Sequence, residues 1–182
     1  TNSGYRNETR LAAYLVRANY DFAGKYLLEV VGRYDGSYRY APGHRWAFFP
    51  SVSAGWRISE EKFMKGKLPF VSNLKLRASY GKSGYDAGNA FQYVAGYTQG
   101  NLGYVLDGNK LTMGMVAPGV VLDNLSWVVT KTTNLGVDFD LWDGKLFGTV
   151  EIYRRVNDGL LASRLQNIPN TFGASFPNEN IN

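Results

Sequence analysis

The sequence predicts an all-β protein whose long strands pair in antiparallel fashion. Three observations favour this fold class. Apolar and polar residues alternate along several long stretches, which is typical of strands whose two faces meet different surroundings. Tyrosine and glycine are abundant, with 13 and 21 copies among 182 residues, and both suit strands and tight turns better than helices. No run of apolar residues is long enough for a transmembrane helix.

Alternation is clearest in a long hairpin at residues 25–58. Its first arm is predicted at Lys25–Arg33 and its second at about Phe48–Ile58, with a loop rich in glycine, tyrosine and arginine between them. One face carries Leu28, Val30 and Gly32 in the first arm and Val52, Ala54, Trp56 and Ile58 in the second. The opposite face carries Glu29 and Arg33, then Ser51, Ser53, Gly55 and Arg57. One side of the hairpin is therefore expected to face an apolar environment and the other a polar one.

The same alternation predicts further strands on both sides of this hairpin. They are expected at Leu11–Tyr20, Asn73–Gly81, Thr132–Trp142 and Lys145 to about Leu161. Ser59 is expected to cap a short helical turn within 59–73, because two glutamates follow it. Between residues 82 and 131 the alternation is broken, except in a small hairpin predicted at Tyr104–Met113 around Asp107–Gly108.

The lengths of the connections indicate the class of β protein. Because antiparallel strands alternate in direction, successive connections fall on two opposite rims. One rim receives 21–25, 59–72 and 143–144, and the other receives 34–47, 82–131 and 162–182. Short turns on one rim and long loops on the other are typical of an outer-membrane β-barrel. About six long strands are predicted, fewer than the roughly eight of the smallest single-chain barrels, so the chain is expected to be an arc of a larger transmembrane barrel.

The two faces of this arc are expected to meet lipid and the barrel lumen. The residues predicted to face lipid are Leu28, Val30, Trp56, Leu74, Leu76, Tyr80, Val137 and Phe139. The residues predicted to face the lumen are Glu29, Arg57, Lys75, Arg77, Asp138, Asp140 and Glu151. Rings near strand ends on the apolar side favour the membrane interface, with packing in a soluble core as the alternative. These rings are Tyr14, Tyr20, Tyr26, Trp56 and Tyr80.

Aromatic residues of the long connections form a second set. Its members are Tyr38, Tyr40, Trp46, Tyr85, Phe91, Tyr93, Tyr97, Tyr104 and Trp127, with His44 among them. Flat rings beside arginine and asparagine suit contact with a sugar or a peptide. Packing of the loops on themselves and contact with a lid protein are the open alternatives.

Candidate catalytic and metal-binding residues are few. The only histidine, His44, lies in a Gly/Pro loop, and the absence of cysteine excludes a Cys–His zinc site. No nucleophile-elbow motif accompanies His44. Asp107–Gly108–Asn109 lacks the spacing and the final glutamate of a calcium loop, so a hairpin turn is favoured. The net charge is +5, but the basic residues form no cluster, which argues against nucleic-acid binding.

Three carboxylates on neighbouring predicted strands need a separate interpretation. Asp138, Asp140 and Glu151 could act together as glycosidase carboxylates. Ion pairing with arginine in a wet lumen is the favoured alternative, and the candidate partners are Arg57, Arg77, Arg154 and Arg155. We therefore expect no enzyme activity and no cofactor.

One stretch carries a specific resemblance to a known family. It opens with Arg33, Asp35, Gly36, Ser37 and Arg39 and continues with RWAFFPSVSAGWRISEE at Arg45–Glu61. This pattern resembles the barrel of the SusC/RagA family of TonB-dependent outer-membrane transporters. Arg17–Leu28 is similar to the family's RxNYDYKxKYLL, and Leu74–Gly84 is similar to its LKLRASYGxTG.

A further match falls on the family pattern LxWETTTQTNxGxDF. The matching residues are Leu125, Trp127, Thr133, Asn134, Gly136, Asp138 and Phe139. Two positions depart from the family: Tyr34 stands where a polar or basic residue is more frequent, and Val128 stands where a glutamate is usual. Any role of that glutamate therefore does not carry over. Residues 85–120 show no family pattern, as expected of a variable outer loop.

The resemblance implies a barrel of about 22 strands, an N-terminal plug, a TonB-contacting segment and a SusD-like lipoprotein lid. Residues 1–182 would be part of the barrel domain, with the plug and the C-terminal strands absent and 82–131 as a long extracellular loop. The implied function is energy-coupled import of oligosaccharides or peptides across the outer membrane of a Gram-negative bacterium. The implied partners are the SusD-like lipoprotein, TonB, membrane lipid and the substrate. A secreted β-domain that binds glycans through tyrosine-rich loops, or a soluble β-barrel enzyme, are the rival interpretations.

Overall fold

The computed structural model describes residues 8–65, 67–106, 110–163 and 177–181, apart from the side chains of 101–106 and 110–112. The described residues form ten strands and one 3-10 turn, Ile58–Glu60. In chain order the strands are β1 (Leu11–Phe22), β2 (Tyr26–Ser37), β3 (Trp46–Arg57), β4 (Val71–Tyr85), β5 (Thr98–Leu106), β6 (Lys110–Val116), β7 (Val128–Leu141), β8 (Leu146–Asp158), β9 (Leu160–Ala162) and β10 (Glu179–Ile181).

Six of these strands form one antiparallel sheet in the order β1-β2-β3-β4-β7-β8. β5 pairs with β6, and β9 pairs with β10, in two small separate sheets. β1 and β8 stand at the two ends of the large sheet, which is therefore an open arc. The predicted fold class, all-β with about six long antiparallel strands, is confirmed.

The register places two kinds of residue on opposite faces of the large sheet. Leu28 lies opposite Ala54, Trp56 opposite Leu76, and Leu76 opposite Val137. Because directly paired residues share a face, these side chains lie together on what we call the apolar face. The polar face carries Glu29, Lys75, Arg77 and Asp138. The separation of the two sets follows from the period-two alternation of the sequence.

The apolar face is left uncovered by the described part of the chain. Val16 and Ile152, on the two edge strands, keep 73% and 72% of their surface exposed. An uncovered apolar surface that extends over a whole sheet marks contact with another molecule or with lipid.

The connections within the large sheet are sorted between the two rims as predicted, whereas residues 164–176 and 182 of the predicted connection 162–182 lie outside the described residues. The short-turn rim holds 23–25, 58–70 and 142–145, and the long-loop rim holds 38–45 and 86–127. The strands are longer than predicted at the long-loop rim, so these two loops are shorter than the predicted 34–47 and 82–131. In β2 and β4 the glycines Gly36, Gly81 and Gly84 contributed to this error, because they break the alternation without ending a strand.

Gly84 illustrates how a glycine continues a strand here. A Cβ at this position would lie 2.0 Å from the ring of Phe49 on the neighbouring strand. The ring occupies the place of the missing side chain, and β4 continues to Tyr85.

Two smaller predictions turn out differently in detail. A hairpin was expected at 104–113, and its strands are longer, Thr98–Leu106 and Lys110–Val116; its turn residues 107–109 lie outside the described residues. Ser59 does not cap the turn at Ile58–Glu60, where Arg57 occupies the capping position without a side-chain bond. Within the described residues, no helix has the length and apolarity required to cross a membrane.

Candidate functional site

Ion pairs across three strands occupy the middle of the polar face. Arg77 on β4 contacts Asp138 on β7, with 3.3 Å between Nε and Oδ2, and Glu151 on β8, with 3.5 Å between Nη2 and Oε2. The guanidinium lies over Gly136, where a Cβ would come within 3.0 Å of Nε. The Thr149 hydroxyl donates a 2.9 Å hydrogen bond to Asp138. Both carboxylates are thus held by Arg77, as the ion-pair interpretation expects.

Another candidate partner lies on the opposite face of the sheet. Arg154 pairs in register with Thr133 on the apolar face, so its predicted role as a partner of the polar carboxylates is wrong. Asp140 accepts a 2.9 Å hydrogen bond from the backbone of Gly144 and stabilises the turn after β7. Among the described residues, no cluster of His, Cys, Asp and Glu could hold a metal ion.

A groove of about 530 Å³ runs beside these ion pairs on the polar face. Its residues include Ser53, Gly55 and Ser79, which are small, and Glu29, Lys75 and Arg77, which are charged. Arg17 on β1 holds Glu29 with a 3.0 Å bond from Nε to Oε2. Charged side chains beside small ones can hold a polar, hydrated ligand.

A small buried core holds the long loops together. Tyr40 and Trp127 are 2% and 8% exposed, and their rings pack with 5.7 Å between centroids. Phe49 packs against Trp127 at 5.6 Å, and Leu125 joins the same cluster. The Trp127 indole N–H donates a 3.1 Å hydrogen bond to the carbonyl of Arg45. For Tyr40 and Trp127 the geometry therefore supports loop self-packing, and Tyr40 offers little surface for a substrate.

Polar contacts join the loop at 38–45 to the start of 86–127. Asp86 accepts a 2.9 Å hydrogen bond from the hydroxyl of Ser37 and lies 3.2 Å from Nε of Arg39. The Tyr40 hydroxyl accepts a 2.9 Å bond from the backbone of Ala87. Burial raises the pKa of Tyr40, so its hydroxyl stays protonated. The two loops form one structural unit.

Three rings lie on this unit, one exposed and two half-buried, and we call them the aromatic cluster. Tyr38 meets Phe91 edge to face at 5.8 Å, and Phe91 lies 6.3 Å from Tyr93. Arg45 donates a 3.2 Å hydrogen bond to the Tyr93 hydroxyl. Phe91 is 55% exposed, and its backbone φ is 61°, a value that residues other than glycine rarely adopt. An exposed ring on a strained backbone is a candidate for ligand contact.

The remaining residues of the predicted loop set are dispersed. Tyr85 and Tyr97 are 52% and 66% exposed, and His44 is exposed in the loop 38–45. The side chain of Tyr104 lies outside the described residues. Trp46 belongs to the apolar face instead, because it starts β3 and stacks on Tyr34 at 5.0 Å. The alternation of the sequence could have predicted this placement, because Trp46 is separated from Trp56 by an even number of positions and so shares its face.

Glu61, at the short-turn rim, was missed by sequence reasoning. Its carboxylate accepts hydrogen bonds from the Tyr26 hydroxyl at 2.7 Å, the Trp56 indole at 3.2 Å and Lys25 at 3.1 Å. These donors lower the pKa of Glu61 to about 2. Two of the donors come from β2 and its preceding turn, so only tertiary structure brings them together.

These features define a class of protein. An antiparallel arc with an apolar face, an ion-paired polar face and loops sorted by length is a wall segment of a transmembrane β-barrel. Residues 1–182 match the family model described as TonB dependent receptor-like, beta-barrel, and the chain belongs to that family.

Individual relatives agree with this assignment. The chain is 34% identical over 162 residues to the TonB-dependent receptor SusC of Bacteroides thetaiotaomicron, covering 88% of this chain and 16% of SusC. It is 34% identical over 158 residues to the TonB-dependent receptor P26 of Formosa agariphila, covering 84% of this chain and 15% of P26. The RagAB peptide importer in its closed-closed state aligns with a TM-score of 0.79 at 25% identity, over 96% of this chain and 18% of that chain. The chain thus spans less than a fifth of the length of each relative.

Proposed function

We propose that this chain is an arc of the barrel wall of an outer-membrane active transporter that imports oligosaccharides or peptides. A SusD-like surface lipoprotein would cover its outer mouth, and TonB would supply energy through parts of the protein outside this arc. The observation that carries the proposal is the pairing of an uncovered apolar face with an ion-paired polar face in a chain whose relatives include SusC and the RagAB importer.

The apolar face would meet lipid and the polar face the lumen. Large apolar side chains left exposed over a whole sheet would be unfavourable in water, whereas hydrocarbon is their natural surrounding. Ion-paired Arg77 would be costly against lipid but is well accommodated in a wet channel. The secreted glycan-binding domain that is the alternative would have to keep the apolar face in water.

The long-loop rim would be the outer, substrate-receiving side. The aromatic cluster, together with His44 and Tyr97, offers flat surfaces and hydrogen-bonding groups to a sugar or peptide, or to the lid. Long loops on a rigid scaffold are where recognition concentrates. The substrate would bind between barrel and lid, TonB would move the plug, and the substrate would pass along the groove beside Lys75 and Arg77. No bond is made or broken by this arc.

Uptake by cells tests the proposal. Cells that carry the full-length gene should accumulate a labelled oligosaccharide or peptide mixture, and deletion of the gene should abolish that accumulation. Dissipation of the proton-motive force should abolish it as well, because TonB coupling needs energy. Uptake that persists without the gene or without energy would contradict active transport by this protein.

A further inference from the structure

The apolar face carries a single group of charged side chains. In the six strands of the large sheet, all of whose residues are described, its only charged members are Lys82 on β4, Lys131 on β7, and Arg154 and Asp158 on β8. The four lie on three adjacent strands near the long-loop rim. Their grouping on an otherwise apolar surface needs a physical explanation.

The register fixes how these side chains are arranged. Lys82 lies directly opposite Lys131, so the two side chains leave neighbouring backbone positions on the same face. Arg154 lies opposite Thr133, two residues along β7 from Lys131. Lys131 forms an ion pair with Asp158. Three cations and one carboxylate leave an excess of two positive charges.

Two of the three cations lack a carboxylate partner within the described residues. On the polar face Arg17 and Arg77 each have a carboxylate partner. Lys82 and Arg154 form no ion pair among the described residues, and Lys82 faces a second lysine. Like charges directly opposite each other destabilise a strand pair, and cations on a lipid-facing surface are costly unless anionic headgroups are near.

We propose that Lys82, Lys131 and Arg154 form a binding site for the phosphate groups of lipid A, the anchor of lipopolysaccharide in the outer leaflet. The proposal rests on the membrane orientation given under the proposed function. Tyr80 and Thr133 pair opposite each other on the same face, next to the Lys82–Lys131 pair, and their hydroxyls can donate further hydrogen bonds to phosphate.

Neighbouring residues favour an acylated ligand over free phosphate. Ile152 and Val156 flank Arg154 on the apolar face, and Leu135 lies opposite Ile152. A ligand that satisfies both the cations and this surface has a phosphorylated headgroup and acyl chains. At the long-loop rim of an outer-membrane barrel, the anionic lipid with both is lipid A. The site would order lipopolysaccharide around the outer mouth of the transporter.

The test uses the full-length protein, purified in non-ionic detergent, depleted of lipid and incubated with lipid A. Bound lipid A is counted by native mass spectrometry. The double variant Lys82→Gln and Arg154→Gln should bind lipid A about tenfold more weakly, since each substitution removes a charge-assisted hydrogen bond. The matched control is Lys62→Gln with Lys67→Gln, which removes the same charge from exposed residues of the short-turn rim and should bind as the unaltered protein does.

A second comparison needs no variant. Lipid A stripped of its phosphates should bind the unaltered protein about tenfold more weakly than intact lipid A. The assignment would be overturned if the two forms of lipid A bound equally, or if the Lys82/Arg154 variant bound lipid A as tightly as the unaltered protein does. It would also be overturned if phosphatidylglycerol displaced bound lipid A as effectively as free lipid A does. Each of these can occur in a heat-resistant, membrane-inserted barrel that still imports, so failure here is distinct from failure of the proposed function.

Discussion

The hydroxyl of Tyr26 donates a 2.7 Å hydrogen bond to the carboxylate of Glu61. The Tyr26 ring also stacks on Trp56 at 6.4 Å, and the Trp56 indole donates to the same carboxylate at 3.2 Å. Glu61 therefore fixes the connection 58–70 to the row of rings at the short-turn end of the apolar face. Rings with a polar edge are favoured at a membrane interface, where one side is apolar and the other wet.

This contact predicts an acid-dependent loss of stability. The folded protein holds the pKa of Glu61 at about 2, below its usual 4.5. Its contribution is thus complete above about pH 4.5 and is lost as the pH falls from 4.5 towards 2. The melting temperature of the purified full-length protein should fall more steeply over this window than that of the Glu61→Gln variant.

The matched control for this measurement is Glu60→Gln. Glu60 pairs with Lys65, whose side chain is 61% exposed, at 2.7 Å. An exposed pair of this kind contributes little, so Glu60→Gln should leave most of the acid sensitivity in place. Acid sensitivity that is unchanged in Glu61→Gln would show that the carboxylate has no such role.

The close approach of Gly84 to Phe49 predicts a cost for any side chain at position 84. A Cβ there would lie 2.0 Å from a ring that is itself 4% exposed and packed on Trp127. Gly84→Ala should reduce the free energy of unfolding by about 1–3 kcal/mol, the usual cost of overpacking. Gly96→Ala is the control, because nothing lies within 4 Å of its Cβ position.

A double substitution separates this clash from other effects of alanine. If the ring of Phe49 is the obstacle, Gly84→Ala should cost clearly less in a Phe49→Leu background than alone. Additive costs would show that the glycine is required for another reason.

The long connection 86–127 contains two parts that should behave differently on deletion. The β5–β6 hairpin is a separate two-stranded sheet, whereas Leu125 and Trp127 belong to the buried core of the rim. Replacing residues 96–117 by a short Gly/Ser linker should leave a folded, heat-resistant barrel. Replacing 86–127 should destabilise the rim, because loss of a buried tryptophan costs about 3–5 kcal/mol.

The hairpin deletion also tests recognition. Uptake of the native nutrient, or co-purification of the lid lipoprotein, should fall in the 96–117 deletion if this loop contacts either one. Normal uptake with the lid attached would remove the hairpin from the recognition surface. Equal stability of the two deletions would contradict the structural role of the rim core.

Phe91 should contribute to ligand contact at the expense of stability. Its φ of 61° costs about 1–2 kcal/mol for a residue with a side chain, and glycine avoids that cost. Phe91→Gly should therefore leave the melting temperature unchanged or higher while it lowers uptake. Phe91→Ala should lower uptake to a similar extent without any rise in the melting temperature. Unchanged uptake in both variants would exclude the ring from substrate and lid contact.

The sequence alone was sufficient to predict which residues share a face of the sheet and which strands are neighbours. Period-two alternation fixes which residues share a face, so Leu28 and Glu29 separate correctly without knowledge of the register. The ends of the strands were harder to predict, because Gly84 and its neighbours break the alternation while the strand continues. The reason lies in Phe49, on another strand, and no local pattern contains it.

The candidate site was only partly predictable for the same reason. The polar row could be read from β4 and β7, and the alternation that groups Arg154 with Val150 and Ile152 could have excluded Arg154 as a partner. The reach of Arg77 to both Asp138 and Glu151 depends on the register of three strands, which no local pattern contains. Half-buried and buried rings of the loops have the same local sequence character, so Tyr38 and Tyr40 could not be told apart. Their difference arises from the fold of the long-loop rim around Trp127.

The central claim is that the two faces of the sheet meet different solvents, and neighbouring residues at the middle of β3 test it directly. Val52 lies on the apolar face opposite Val30, and Ser53 lies on the polar face opposite Glu29. The full-length protein is refolded into phospholipid vesicles, and its free energy of unfolding is measured in guanidinium. Val52→Arg should cost about 2–4 kcal/mol, as for a cation facing the middle of a bilayer, whereas Ser53→Arg should cost about 0–1 kcal/mol. Equal costs for the two substitutions, or a larger cost at Ser53, would contradict the assignment of the apolar face to lipid.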